Sequence, residues 1–155
     1  MHRARIIPTL LMDDDGLVKT QKFKNSRYIG DPINAVRIFN NKEVDELILL
    51  NITATTEQKE PKFESIAEIV SEAFMPIGYG GGINHISQIE RLFKIGIEKV
   101  ILNTAAFTHE DLINEAAKIY GNQSIVVSVD IKKDLFGNYH MYTNGGKVKQ
   151  KIGRA

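Results

Sequence analysis

The sequence has no cysteine and no tryptophan, only four prolines, and almost no net charge, with 20 basic against 19 acidic side chains. Without cysteine, thiol catalysis, thiolate metal sites and a disulfide-built secreted scaffold are excluded. A formal charge of +1 gives no general pull toward nucleic acid or anionic lipid, whose binders carry a basic stripe or patch. No long hydrophobic run occurs either. The apolar stretch Ile6 to Met12 is broken by Pro8 and followed by Asp13, Asp14 and Asp15, so neither a signal peptide nor a membrane span fits. A cytoplasmic location is the expectation, with no nucleic-acid or membrane partner. The histidines His2, His85, His109 and His140 are scattered without ligand spacing, so each reads as a surface residue and no metal is expected.

What is present is the profile of one globular domain: 155 residues, 43% hydrophobic and 25% charged. A chain of this length can bury about two thirds of the surface its unfolded form exposes. Short apolar runs alternate with stretches of helical period. Arg5 to Met12 reads as a buried strand, and Asp13 to Asn25 as a polar excursion. Asp31-Pro32 places an N-cap and an N1 proline before Ile33, Val36 and Phe39, a helix start. Glu46 to Leu50 is a second strand, Phe63 to Phe74 a helix, Pro76 to Tyr79 a third strand, and Ile86 to Phe93 a helix closed by Gly96. Lys99 to Leu102 is a fourth strand, Thr108 opens a helix that runs to Gly121, and Ile125 to Asp130 is a fifth strand. Tyr139 to Tyr142 follows as one arm of a hairpin turning near Phe136-Gly137-Asn138.

That succession, (βα)4 and then a fifth strand, demands a parallel sheet with crossover helices. Length favours an open doubly wound sheet, because a TIM barrel has eight strands and about 250 residues. Against this, the first strand can be laid on the fifth with a shift of 119 residues, Ile6 onto Ile125, each being followed by a polar hairpin-like loop. A duplication of that period describes a barrel made of two halves.

Gly80-Gly81-Gly82 stands between a strand and a helix, where free backbone amides can cradle a phosphate. A plain tight turn is the blander reading, but it needs one glycine and not three. Ile83 fills the third glycine position of a dinucleotide fingerprint that begins at Gly78, and no Gly-Lys-Ser/Thr triplet occurs, so NAD and P-loop chemistry are rejected. No cofactor is expected. Asn103-Thr104 ends the next strand with an amide and a hydroxyl, and both turns lie at the carboxyl edge of adjacent strands. Asp130 closes an apolar strand at that edge, where low-dielectric neighbours would raise its pKa toward that of a working acid or base. Asp13, Asp14 and Asp15 read as a solvated loop, since adjacent residues cannot all face one ion. Arg5, Glu46 and Lys99 stand at the starts of strands, at the opposite end of the sheet; around a barrel axis they would form a salt-bridged gate. The basic run Lys147, Lys149, Lys151 and Arg154 reads as a solvated chain end.

The segments RIIPTLL, GLVKTQKFKN, YIGDPINAVRIFN, VDELILLNITA, YGGGI, EKVILNTAAF and SIVVSVDIKK together resemble the cyclase subunit of imidazole glycerol phosphate synthase. The resemblance implies an α/β TIM-barrel fold. The chain then covers about the first five strands, as a single partial barrel domain spanning residues 1–155 with a hairpin after the fifth strand. It implies a reaction in which ammonia from a glutaminase partner passes through the barrel to a phosphorylated ribulosyl aminoimidazole nucleotide, giving imidazole glycerol phosphate. On the same resemblance Asp130 is one of two catalytic aspartates. Gly81, Gly82, Asn103 and Thr104 fall on a substrate-phosphate site, Lys19 and Asn51 on substrate-facing positions, and Arg5, Glu46 and Lys99 on three of four ammonia-gate residues.

Three departures set this chain apart. Leu11 stands where the family carries its first-strand catalytic aspartate, and leucine transfers no proton. Asp13 lies two residues further along, about 6 to 7 Å away on an extended strand. Asn51 replaces a usual aspartate and Ile101 a usual serine. Leu11 with Asn51 resembles cyclase-like proteins of surface-polysaccharide gene clusters, where a barrel and a glutaminase serve amidination of an acidic sugar. A third expectation is an inactive truncated remnant that only binds a partner. Open sheet edges imply self-association.

Overall fold

The computed structural model describes residues 4–21 and 24–150. His2, Lys151 and Arg154, named above, lie outside the described residues, as do both ends of the expected single domain.

The main sheet contains β1 (Thr9–Asp13), β2 (Gly16–Gln21), β3 (Lys24–Gly30), β4 (Leu47–Asn51), β5 (Ile77–Gly80), β6 (Lys99–Leu102) and β7 (Ile125–Val127). Its spatial order is β3-β2-β1-β4-β5-β6-β7. From β1 to β7 every neighbour is parallel, and the strands lie in chain order. A doubly wound sheet reverses its strand order at a switch point; this one does not. The winding is that of a TIM barrel, so the α/β barrel-type expectation holds and the open doubly wound alternative falls.

The crossovers are α1 (Pro32–Asn41), α2 (Phe63–Ser71), α3 (Ile86–Ile95), and the pair α4 (Ala105–Thr108) and α5 (Glu110–Tyr120). Asp31 caps α1 by accepting from the Asn34 N–H at 3.0 Å, with Pro32 at the first helical position, and Gly96 ends α3 in the left-handed conformation at φ 111°. Helix α1 packs on α2, α2 on α3, and α3 on α5.

Strand alternation assigns the two faces. Leu47, Leu49, Ile77, Tyr79, Val100 and Leu102 are buried in one core with Val36, Phe63, Ile66, Ile69, Ile89, Leu92, Leu112 and Ala116 of the helices. The other face carries Ile48, Leu50, Gly78, Gly80 and Ile101. A side chain at Gly80 would stand 2.8 Å from the Ile101 carbonyl and 2.9 Å from Leu50 Cδ2; the branched neighbours therefore fill the space over the glycines.

Several expected boundaries move. The first strand begins at Thr9, not Arg5: Pro8 has no N–H to give a ladder, although the Ile6 and Pro8 carbonyls accept from Asp45 and Ile48. The polar excursion after it, hairpin-like as expected, is the antiparallel pair β2 with β3, and β2 in turn pairs antiparallel with β1 from Asp13 opposite Gly16. Helix α2 stops at Ser71, leaving Phe74 exposed beyond it. Thr108 does not open the expected helix: it ends α4, and α5 starts at Glu110 after His109.

The expected fifth strand divides. Ser128 N–H donates to the Leu102 carbonyl, and beyond it Asp130 opens β8 (Asp130–Lys133). This strand pairs antiparallel with β9 (Tyr139–Thr143), which in turn pairs with β10 (Val148–Lys149), in a separate sheet. The hairpin turn lies where expected. There Asp134 accepts from the Phe136 and Asn138 backbone and pairs with His140 Nε2 at 2.8 Å, which holds its carboxyl down to about 2.

Among the described residues, β3 and β7 each present one unpaired edge, with Tyr28, Ile29, Val127, Val129 and Ile131 exposed beside them. Edges of this kind recruit further strands. The 155-residue chain is therefore expected to sediment as dimers or larger species at micromolar concentration. A single species at 17.4 kDa across the concentration range would refute this.

Candidate functional site

At the carboxyl edge of the parallel strands a cavity of about 620 Å³ is lined by Leu11, Asn51, Gly81, Gly82, Asn103, Thr104 and Asp130 among others. Register makes the meeting: Leu50 pairs Gly80 and Gly80 pairs Ile101, so the turns leaving β4, β5 and β6 start side by side.

Asn51 organises the first turn. Its Oδ1 accepts from the Thr53 and Ala54 backbone at 3.1 and 3.0 Å and from the Thr53 hydroxyl at 3.1 Å. It also meets the buried Tyr79 hydroxyl, which burial pushes above its ordinary pKa against this hydrogen bond. The amide thus shapes the loop as well as facing the cavity.

Gly81 and Gly82 stand at φ 121° and 71°, in the region that favours glycine. A Cβ on Gly81 would lie 2.3 Å from the Asn51 carbonyl, and one on Gly82 2.4 Å from the Lys59 carbonyl. The turn is therefore a close backbone approach, which a plain turn does not need. One expectation is corrected: these glycines do not open a helix. Helix α3 begins at Ile86, and the Asn84 and His85 N–H groups just before it are taken by Gln88 Oε1 at 2.9 and 3.1 Å. The glycine turn itself lines the cavity, and its Gly82 N–H donates to the Thr55 hydroxyl at 3.4 Å.

Asn103 donates from Nδ2 to the Ser128 carbonyl at 3.1 Å, and the Thr104 hydroxyl accepts from the Asn144 N–H at 3.0 Å. Asp130 is half-buried at the start of β8, not at the end of a parallel strand. Burial pushes its carboxyl above the ordinary carboxylate value, opposed by the Asn103 hydrogen bond and by the charge of Lys132. Among the described residues it is the only carboxylate in the cavity lining. Asp13 instead accepts from the Thr53 hydroxyl at 2.8 Å. Asp14 meets Lys59 at 3.2 Å and Asp15 meets Lys62 at 2.7 Å and Ser65 at 2.9 Å, strapping the β1–β2 turn to the loop before α2. Their lysine partners hold both carboxyls below the usual range.

Lys19 stands apart from this cluster. It is exposed on β2 opposite Arg27, and its neighbour Thr20 faces the cavity in its place, as strand alternation requires.

At the other end of the sheet Glu46 is 1% exposed. It accepts from Arg5 Nη2 at 2.7 Å and from the Lys99 ammonium, so the three expected charges do form one salt-bridged cluster. Among the described residues there is no group of three or more metal-ligating side chains and no helix long and apolar enough to cross a membrane.

Sequence reasoning missed the contributions of the Thr53–Lys59 loop and of Lys147, both of which line the cavity. The signal available for Lys147 was Asn144-Gly145-Gly146 before it, a turn motif that carries the lysine back over the sheet.

Compared with known proteins, residues 5–154 match the sequence profile of a family described as histidine biosynthesis protein. The chain is 52% identical over 146 residues to a Pseudomonas aeruginosa protein provisionally named imidazole glycerol phosphate synthase subunit hisF2, covering 94% of this chain and 58% of that protein. It is 50% identical over 153 residues to a Vibrio vulnificus protein provisionally named subunit hisF3, covering 98% and 59%. To the imidazole glycerol phosphate synthase subunit HisF of an Exiguobacterium species it is 41% identical over 150 residues, covering 96% and 58%. The chain thus spans about three fifths of the length of the curated relatives it matches.

Because Gly82 has no room for a side chain, Gly82→Ala is expected to destabilise the fold by about 1–3 kcal/mol, read from the urea midpoint at unchanged slope. An unshifted midpoint would show that the turn relaxes freely.

Proposed function

Since the chain belongs to the histidine biosynthesis protein family, we propose that it is a cyclase-type subunit that uses glutamine-derived ammonia on a phosphorylated substrate, with a glutaminase as its partner. The observation that carries this reading is one cavity holding Asp130 together with Gly81, Gly82, Asn103 and Thr104, set at the opposite end of the sheet from the Arg5–Glu46–Lys99 cluster.

In this reading the glycine turn and the Asn103–Thr104 turn hold a phosphate through neutral donors. Asp130, with its pKa raised by burial, gives and takes the proton of the ring-closing step. Ammonia reaches it along the inner face of the sheet from the Glu46 end, where the ion cluster acts as a gate. The first substrate reading is the phosphorylated ribulosyl aminoimidazole nucleotide, giving imidazole glycerol phosphate.

A second reading has a specific observation behind it. Leu11 and Asn51 both line the cavity, so the position where a second carboxylate would act is apolar. That favours amidination of an acidic sugar alongside a glutaminase, a reading in which no first-strand carboxylate is called for.

Growth without histidine separates the two. In a strain lacking its cyclase, this chain joined to the remaining strands of a relative is expected to restore growth, and Leu11→Asp to improve it. No growth from either would reject the histidine substrate in favour of the sugar.

Asp130→Asn is expected to abolish that growth while stabilising the fold at neutral pH. The sign follows from the raised pKa: the ionised folded form carries a penalty, present at pH 7 and absent below the ordinary carboxylate value, where the group is protonated folded and unfolded alike. Thermal midpoints of the two proteins at pH 7 and pH 3.5 check it; an equal difference at both pH values would refute it.

A further inference from the structure

Among the described residues the cavity lining contains four ionisable side chains: Lys59, His109, Asp130 and Lys147. The Lys59 ammonium is taken by Asp14 at 3.2 Å and Glu57 at 2.6 Å. The His109 ring meets the Thr108 hydroxyl at 2.8 Å. Lys147 is different: its side chain is exposed and has no carboxylate partner among the described residues.

The backbone that carries it is fixed. Residues 144–146 all take positive φ angles, 53°, 64° and 74°, and this tight turn is anchored at several points. The Lys147 N–H donates to the Thr143 carbonyl at 3.1 Å. Thr143 is buried and accepts from Gln150 Nε2 at 2.7 Å. The Lys132 ammonium donates to the Gly146 carbonyl, and the Asn144 N–H donates to the Thr104 hydroxyl at 3.0 Å. The last bond ties the turn directly to the Asn103–Thr104 corner.

Charge gives the consequence. A phosphate monoester brings up to two negative charges into a site whose other donors, glycine amides, an asparagine and a threonine, are neutral. Asp130 in the same cavity opposes an anion whenever it is ionised. A mobile ammonium on a fixed turn answers that charge as a point cation, without demanding bidentate geometry. We propose that Lys147 is the cation of the phosphate subsite formed by Gly81, Gly82, Asn103 and Thr104, delivered by the turn between β9 and β10. This rests on the phosphate reading of that subsite.

Calorimetric titration of the full chain with inorganic phosphate tests it, using Lys147→Met, Lys147→Arg and Thr104→Ala. The Met variant is expected to bind about tenfold or more weakly and with a shallower salt dependence. The Arg variant should keep most of the affinity, and the thermal midpoint of both should match the parent, because the side chain holds nothing in the fold. If Lys147→Met binds as tightly as the parent while Thr104→Ala loses binding, Lys147 has no part and the subsite stands. A lowered midpoint in Lys147→Met would replace the proposal with a structural role. If the parent binds no phosphate, or Thr104→Ala binds unchanged, the phosphate reading falls and the role of Lys147 with it.

Discussion

Five strands paired in parallel and in chain order impose the arrangement of everything else. Parallel pairing forces every strand to leave the sheet at the same edge, and in-order pairing sets each exit beside the next. Asn51, the glycines after β5 and the Asn103–Thr104 corner therefore meet although about fifty residues separate the first from the last. The packing core is built on the helix-facing residues alone, which leaves the opposite face of the strands to shape the cavity. Ile48, Leu50 and Ile101 cover that face, and Gly78 and Gly80 leave room for them.

The two ends of the sheet handle charge in opposite ways. At the amino end Glu46 is buried and satisfied by two cations. An uncompensated carboxylate there would be costly, so the cluster is either intact or disruptive. At the carboxyl end the lining is mostly neutral, and Asp130 there has its pKa raised by the same loss of solvent. Desolvation locks one end and tunes the other. Leu11 sits within the tuned end, and its apolar side chain keeps a second charge out of the space that Asp130 faces.

Much of this was legible in the residues. The order of elements followed from apolar periodicity, and Asp31-Pro32 and Gly96 marked helix ends because a cap and a left-handed residue are local requirements. Asp130, the glycines and Asn103-Thr104 were legible because a parallel sheet fixes which end of a strand a turn occupies. What failed was whatever depended on distant partners. The polar, hairpin-like character of the segment after the first strand is legible, but its strand bounds are not, because they are set by pairing with β1. The apolar run IVVSVD predicts one strand to Asp130, because nothing in it shows that the backbone leaves the sheet after Ser128. Lys19 and Lys147 exchange prominence for the same reason: which side chain faces the cavity depends on strand parity in one case and on a left-handed turn in the other. Glu46, Arg5 and Lys99 were the converse, since charge at three strand starts already implied one another.

The glycine turn has an implication for how such a chain can diverge. A Cβ at Gly80, Gly81 or Gly82 would stand 2.8, 2.3 or 2.4 Å from a backbone carbonyl oxygen, so mutation at these three positions is closed off by volume before selection on chemistry begins. Variation in what the cavity accepts is thereby channelled to its neighbours with room to change, Leu11, Asn51 and Ile101. A common anion socket can then persist beneath a changing roof, and one lineage can exchange substrates without rebuilding the floor on which they stand.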